Sequence, residues 1–251
     1  MSGVLYLIPN TLGSTDPADV GCVALQEVIP EHVQQITAGL ACFIAENAKS
    51  TRAFLKLIAA THQLARPLQE IAITELNVNT PDSALPGLLA PLLAGQDAGL
   101  ISEAGVPAVA DPGAGLVRLA HSHGIQVRPL IGPSSLLLAV MASGLNGQSF
   151  AFNGYLPVEP AQRAKRLREL ELRSRQERQT QLFIETPYRN RVLLDALVTH
   201  CNPSTLLCIA TDLTLRSESI RTASVAQWRQ ELGSSAGPDF QRRPTVFLLL
   251  A

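Results

Sequence analysis

The sequence predicts an α/β fold of two domains, the first on a mostly parallel sheet and the second on a mixed one. Three observations carry this. Short apolar, strand-like runs alternate with helical stretches along the chain, the pattern of βαβ units. Runs such as AGLIS at 98–102 carry no charge, as strands covered on both faces do. The glycine-bearing link SGLNGQSF at 143–150 then divides the chain into domains of 1–145 and 146–251.

In chain order, the first domain is expected to hold strands near 4–8, 41–45, 71–75, 98–102 and 126–131. Helices fall near 31–39, 50–60, 82–94, 113–122 and 134–143. Asp111-Pro112 reads as a helix cap followed by proline at the first helical position, and Ser134 as the cap of the next helix. Beyond the link, strands are expected near 150–154, 180–186, 205–211, 218–222 and 245–250, with helices near 160–174, 189–200 and 225–232. RPTVFLLLA closes the chain as a buried strand, and no internal repeat is evident.

Two loops concentrate the chemistry. AGLIS stops at Glu103 and is followed by AGVPAVADPGAG; IQVRPLI at 125–131 stops at GPSS. In open α/β sheets ligands bind beyond the carboxyl ends of the strands, and helix N-termini offer unpaired N–H groups to anions. Paired glycine-bearing loops at one sheet edge describe a cleft for a small molecule. A dinucleotide-binding unit is excluded, because the first strand ends in PNTLG and not in GxGxxG.

Apolar residues make up 46% of the 251 and charged ones 16%, against a usual ~25% charged. So little charge implies burial within the chain or against a second copy, and a homodimer is expected. No uncharged run reaches the ~18 residues of a membrane span, so no membrane partner is expected. The start, MSGVLYLIPN, lacks a basic leader region. Cys22, Cys42, Cys201 and Cys208 form no CxxC pair, so no metal site is expected and the reducing cytoplasm is. Residues 1–100 hold 4 basic and 9 acidic groups, and 101–251 hold 16 and 12. The basic excess concentrates at 159–179, where Leu167, Leu170 and Leu172 suggest an apolar stripe at helical spacing. That stretch is either a solvated helix laced with ion pairs or an arm contacting phosphates. Aromatics at 4% argue against a base-stacking platform.

SEAGVPAVADPG followed by GPSS resembles the signature of the tetrapyrrole methylase family of S-adenosylmethionine-dependent methyltransferases. The chain is most similar to the branch that methylates a ribose 2′-hydroxyl of small-subunit ribosomal RNA. LYLIPNTLG (5–13), FIAENAKSTRAFLK (43–56), FAFNGYLP (150–157) and LFIETPYRN (182–190) resemble further family segments, so the likeness spans nearly the whole chain. The departures are Glu103 for the usual aspartate, Val106 for threonine, Asn47 where the branch has a second acid, and an extra stretch at 14–29.

The resemblance implies that S-adenosylmethionine lies folded in a cleft between the two domains. Leu12, Glu103, Val106, Ser134 and Ser135 would contact it from the first domain, and Ile184, Ala210 and Thr245 from the second. It also implies an RNA substrate and a role in ribosomal RNA processing. A ribose hydroxyl is a poor nucleophile and needs a base or cation beside it. Glu185 and Arg189 in IETPYRN are the first candidates, with Glu46 and Arg52 from AENAKSTR. Two alternatives remain open at this point: methylation of a small cyclic molecule such as a tetrapyrrole, and cofactor binding without transfer.

Overall fold

A computed structural model describes residues 2–14, 22–232, 240 and 243–251. Residues 15–21 of the extra 14–29 stretch lie outside the described residues. Contacts divide the chain into Met1–Ser134 and Ser135–Ala251.

The first unit runs β1 (Val4–Ile8), α1 (Leu25–Val28), α2 (Glu31–Ala38), β2 (Cys42–Ala45), α3 (Ala48–Ala59), β3 (Ala72–Glu75), α4 (Leu85–Leu88), α5 (Ala90–Leu93), β4 (Ala98–Ile101), α6 (Ala114–Ser122) and β5 (Gln126–Pro129). Its five strands are all parallel, in the order β3-β2-β4-β1-β5. The register sets Ile8 beside Ile101 and Ala45 beside Ile101, so β1, β2 and β4 end level. Both faces are covered, which explains the uncharged runs. Phe43 and Ala45 pack with Val33, Phe54 and Ile58 on one side. Cys42 and Ile44 pack with Leu89, Leu92 and Leu116 on the other.

Two sequence expectations are corrected in this unit. The helix expected at 82–94 is a single 3-10 turn at Asp82–Ala84 followed by the four-residue α4 and α5. Pro86 and Pro91 remove backbone donors, so no longer helix propagates. Asp111 does not cap α6; the cap position is Gly113. Ala108 (φ 66°) and Ala110 (φ 65°) turn the chain through left-handed conformations first, and the Asp111 carboxyl instead bonds the Ser102 side chain.

The second unit runs α7 (Ser135–Ser143), β6 (Phe150–Tyr155), α8 (Pro160–Glu177), β7 (Thr180–Ile184), α9 (Asn190–His200), β8 (Leu206–Thr211), β9 (Ser219–Ser224), α10 (Val225–Leu232) and β10 (Thr245–Leu250). The sheet order is β6-β7-β10-β8-β9. β6 and β7 are parallel and the other pairs antiparallel, making the sheet mixed. By its contacts α7 goes with this unit although it precedes the 143–150 link: Ala139, Val140 and Ser143 are buried, and Thr222 Oγ1 donates to the Ser143 carbonyl at 2.6 Å. The Phe183 and Phe247 rings stack with centroids 6.1 Å apart. Buried Trp228 donates Nε1–H to the Leu207 carbonyl at 2.8 Å.

Glu159 caps α8 by accepting from the Ala161 and Gln162 amides, ahead of Pro160. Leu167 and Leu170 are buried, but Leu172 is 55% exposed, so the stripe continues through fully buried Ser174.

Candidate active site

At the carboxyl edge of the first sheet, three loops are tied together by backbone geometry. Asn10, two residues beyond β1, donates its Nδ2 to the carbonyls of Ser102 (3.0 Å) and Glu103 (3.1 Å). Its own amide donates to the Gly105 carbonyl at 2.8 Å. Gly105 has φ +68°, and a Cβ there would lie 3.1 Å from Leu12 Cδ2 and 3.5 Å from the Pro133 carbonyl. Gly132 is tighter still, because an added Cβ would lie 2.2 Å from Pro9 Cβ. At Gly132 the approach leaves no room for a Cβ, and at Gly105 the left-handed φ favours glycine. Leu12, Val106 and Ser134 are all half-buried on the converging loops. Ser134 directly precedes α7, of which half-buried Ser135 is the first residue.

The edge is acidic. Glu46 Oε2 accepts from the Glu103 amide at 3.0 Å, so the β2 and β4 ends are bridged. Glu103 itself is exposed. Burial, and then the nearby Glu46 charge, push the Asp111 carboxyl up to about 6, with Glu103 adding to the rise and the Ser102 hydrogen bond opposing it. A groove of about 650 Å³ lies between the β1 loop and α3, with Asn10, Thr11 and Glu103 on one side and Phe54, Lys56 and Leu57 on the other. Arg52 is exposed, and its Nη1 makes a long 3.4 Å contact with the Ala48 carbonyl.

In the second unit, Glu185 follows β7 and its side chain is only 2% exposed. Its Oε1 accepts from the Thr186 amide (2.7 Å) and from Arg189 Nε (2.9 Å) and Nη2 (2.6 Å). These bonds fix the Arg189 guanidinium against the carboxylate. Arg189 keeps 23% of its side chain exposed and lies 5.7 Å from the centre of the Tyr188 ring. Ile184 and Ala210 flank Val246 in one row across β7, β10 and β8. Ile184 is half-buried and Ala210 fully buried. Thr245, beside that row, is engaged with Asn190 Nδ2 (3.1 Å), Thr211 (3.2 Å) and the Arg243 carbonyl (3.0 Å).

The structure therefore gathers Leu12, Glu103, Val106, Ser134 and Glu46 at one sheet edge, and Ile184, Glu185 and Arg189 around the end of β7. Sequence reasoning missed Asn10, whose side chain closes the β1 loop onto β4, and Thr186. Asn10 directly follows Pro9 at a strand end, and that Pro-Asn step was the signal available.

No family model matches the chain. Curated relatives do. A protein of Xylella fastidiosa strain 9a5c named ribosomal RNA small subunit methyltransferase I is 30% identical over 248 residues, 99% of this chain and 81% of that protein. A Synechocystis protein of the same name is 34% identical over 84% of this chain and 67% of its own length. The chain belongs to the ribosomal RNA small subunit methyltransferase I family. It is a methyltransferase. Among solved structures, the methyltransferase CobJ superposes with a TM-score of 0.60 at 18% identity, covering 99% of this chain and 94% of its own. Uroporphyrin-III-C-methyltransferase from Thermus thermophilus gives 0.51 at 17%, covering 100% and 93%. At these identities the likeness establishes the fold, which is that of the tetrapyrrole methyltransferases.

Within this family framework the Asn47 departure has a structural account. Asn47 caps α3, its Oδ1 accepting from the Lys49 (2.9 Å) and Ser50 (3.2 Å) amides. Asparagine and aspartate cap comparably, so the substitution leaves the α3 turn in place. Among the described residues no cluster of His, Cys, Asp and Glu could hold a metal ion, and no helix is long and apolar enough to cross a membrane.

Proposed function

We propose that the protein transfers a methyl group from S-adenosylmethionine to a ribose 2′-hydroxyl of small-subunit ribosomal RNA. The observation that carries this reading is the closure of three loops around Gly105 and Gly132, in a chain whose family is named for methylating that RNA. The loop geometry suits the cofactor: close backbone approach leaves room for a ligand's methionine end, and Glu103 offers a carboxylate to its ammonium group. When bound, S-adenosylmethionine supplies an activated methyl on a sulfonium.

The chain's own residues then orient and shield. Leu12, Val106, Ser134, Ser135, Ile184, Ala210 and Thr245 are proposed to hold the cofactor. Because Thr245 is already committed to Asn190 and Arg243, it acts through the backbone and shape of the β10 start. Arg189, held by Glu185, is proposed to orient the acceptor nucleotide through its phosphate. Holding oxygen and methyl in line supplies much of the acceleration. Glu46 and Arg52 are assigned to the acidic edge and to the rim of α3. A homodimer in the cytoplasm completes the reading, with Leu137 (54% exposed) and Met141 (78%), one turn apart on α7, supplying apolar surface.

Tritiated S-adenosylmethionine, incubated with the protein and with small-subunit ribosomal RNA or a tetrapyrrole, tests the assignment. Label should enter the RNA at a position resistant to alkaline cleavage, since a 2′-O-methyl group blocks that reaction. Label in the tetrapyrrole alone, or cofactor binding without transfer to either, overturns it.

A further inference from the structure

Arg163 opens the buried stripe of α8, ahead of Leu167, Leu170 and Ser174. It is 7% exposed. An arginine so buried is ordinarily paired with an acid. Among the described residues Arg163 has no ion pair. Its side chain makes one hydrogen bond, from Nη1 to the Val158 carbonyl at 3.0 Å, and Nε is buried with no partner. The remaining corner, Nη2, is unbonded and not sealed from solvent, so an approaching oxyanion meets it first. A water can take up the Nε–H, but only an anion also balances a charge held out of bulk solvent.

The bond to Val158 folds the guanidinium back past the helix start, where the backbone dipole also favours an anion. The amides there are taken. Ala161 and Gln162 donate to the Glu159 carboxylate, and the Arg163 amide donates to the Glu159 carbonyl at 2.9 Å. Those Ala161 and Gln162 bonds hold the Glu159 carboxyl below its ordinary value, and the Arg163 charge adds least. The Glu159 oxygens thus stay on the helix amides and leave the guanidinium unpaired. α8 connects the parallel strands β6 and β7, so its start stands at their carboxyl edge, beyond Tyr155 and Ile184. That is the edge at which α/β sheets receive ligands.

The surroundings name the anion. Arg166, one turn on, reaches the end of β6 through Nη2 to Asn153 Oδ1 at 3.2 Å. Its contact with Glu169 is a long 3.4 Å one between side chains 40% and 48% exposed, and such pairs are weak. Lys165 and Arg168 are exposed, and among the described residues neither has a partner. Four cations between residues 163 and 168 fit a chain of phosphates. A single small carboxylate would answer only one of them.

We infer that Arg163 is the buried half of an ion pair whose other half is a backbone phosphate of the RNA. The inference rests on the RNA reading above and names one point at which that RNA is held. Guanidinium suits the task, being weakly hydrated and matched to phosphate oxygens.

The test uses the full chain. Arg163→Met keeps most of the side-chain volume and removes the charge, and Arg163→Lys keeps the charge. Melting temperature is read in phosphate and in chloride at matched ionic strength. Phosphate should raise wild type by a few degrees more than Arg163→Met, because a ligand bound only by the folded state stabilises it. The general salting effect of phosphate is common to both and cancels. With a fluorescein-labelled oligoribonucleotide of mixed sequence, Arg163→Met should weaken binding by about 10–100-fold and reduce the salt slope by about 1. Arg163→Lys should keep the wild-type slope, and S-adenosylmethionine affinity should be unchanged in both variants. Arg163→Gln carries the same comparison if the methionine variant does not fold. Equal phosphate shifts in wild type and Arg163→Met overturn the ion pair. Lost S-adenosylmethionine affinity with RNA binding intact also overturns it, since the occupant is then the cofactor's carboxylate. If wild-type protein binds and labels small-subunit RNA with a salt slope that Arg163→Met leaves untouched, the ion pair alone falls. If wild-type protein neither binds nor labels RNA, the functional reading falls with it.

Discussion

Gly132→Ala is the most direct test of the loop closure at the first sheet's edge. The new Cβ would lie 2.2 Å from Pro9 Cβ and 2.4 Å from Pro9 Cγ. Carbon atoms pack at about 3.5 Å or more, so the GPSS loop has to retreat by about 1.3 Å. The proline ring cannot rotate aside, because it is fused to the backbone that leaves β1. Overpacking of this kind costs about 1–3 kcal/mol, and each kcal/mol lowers the melting temperature of a chain this size by roughly 2–4 °C. Retreat of the loop also misplaces the groups proposed to hold the cofactor, and a displacement near 1 Å can slow catalysis on the order of 100-fold. Gly124→Ala is the matched control. Gly124 has φ +67°, with nothing within 4 Å of an added Cβ, and it lies between α6 and β5 at the opposite edge. It should cost about 1–2 kcal/mol in backbone strain while methyl transfer is unchanged. Differential scanning calorimetry with a tritium-transfer assay reads both quantities. A Gly132→Ala protein that melts and turns over like wild type would show that the loop is not held against Pro9.

Asp111 gives a pH signature. Its folded value of about 6 lies above the ordinary 3.8, so its contribution to stability is full below about pH 4 and is lost as pH rises through 6. Asp111→Asn should flatten the melting temperature over that window and melt higher than wild type at pH 7.5; an unchanged profile would remove Asp111 as its source. Charge reversal at Lys165 and Arg168 should lower RNA affinity and reduce the salt slope by about 2, and an unaltered slope would mark α8 as a solvated face. Asn47→Ala should cost about 1 kcal/mol through the lost cap, whereas Asn47→Asp should be neutral in a denaturant titration. Light scattering at micromolar concentration should return twice the 26.8 kDa chain mass; a monomer would count against the apolar surface on α7 as a contact.

Strand positions were legible because buried parallel strands are written as uncharged runs of fixed length, AGLI at β4 and CFIA at β2 being examples. The two glycine-bearing loops were legible for the same reason, as interruptions of that pattern. The strand order β3-β2-β4-β1-β5 was not, because it depends on which crossover passes which strand and no local residue encodes it. Asp111-Pro112 resembled a helix start locally, but the left-handed turns at Ala108 and Ala110 postponed the helix and turned the carboxyl toward Ser102. Glu185 was legible as an acid at a strand end, whereas its bonds to the Thr186 amide and Arg189 depend on how the turn after β7 closes, which no local residue encodes.

The four thiols divide between the units in a way that makes the chain its own unfolding gauge. Cys42, Cys201 and Cys208 are buried, and burial pushes all three thiols up, Cys201 to about 12. Reagents that attack thiolates are thereby kept from them by access and by protonation alike. Cys22 is the half-buried exception. A thiol titration of folded protein should therefore count one group. Opening the first unit adds Cys42, whereas opening the second adds Cys201 and Cys208. Counts of two, three or four thus report, without any label, which sheet has come apart first.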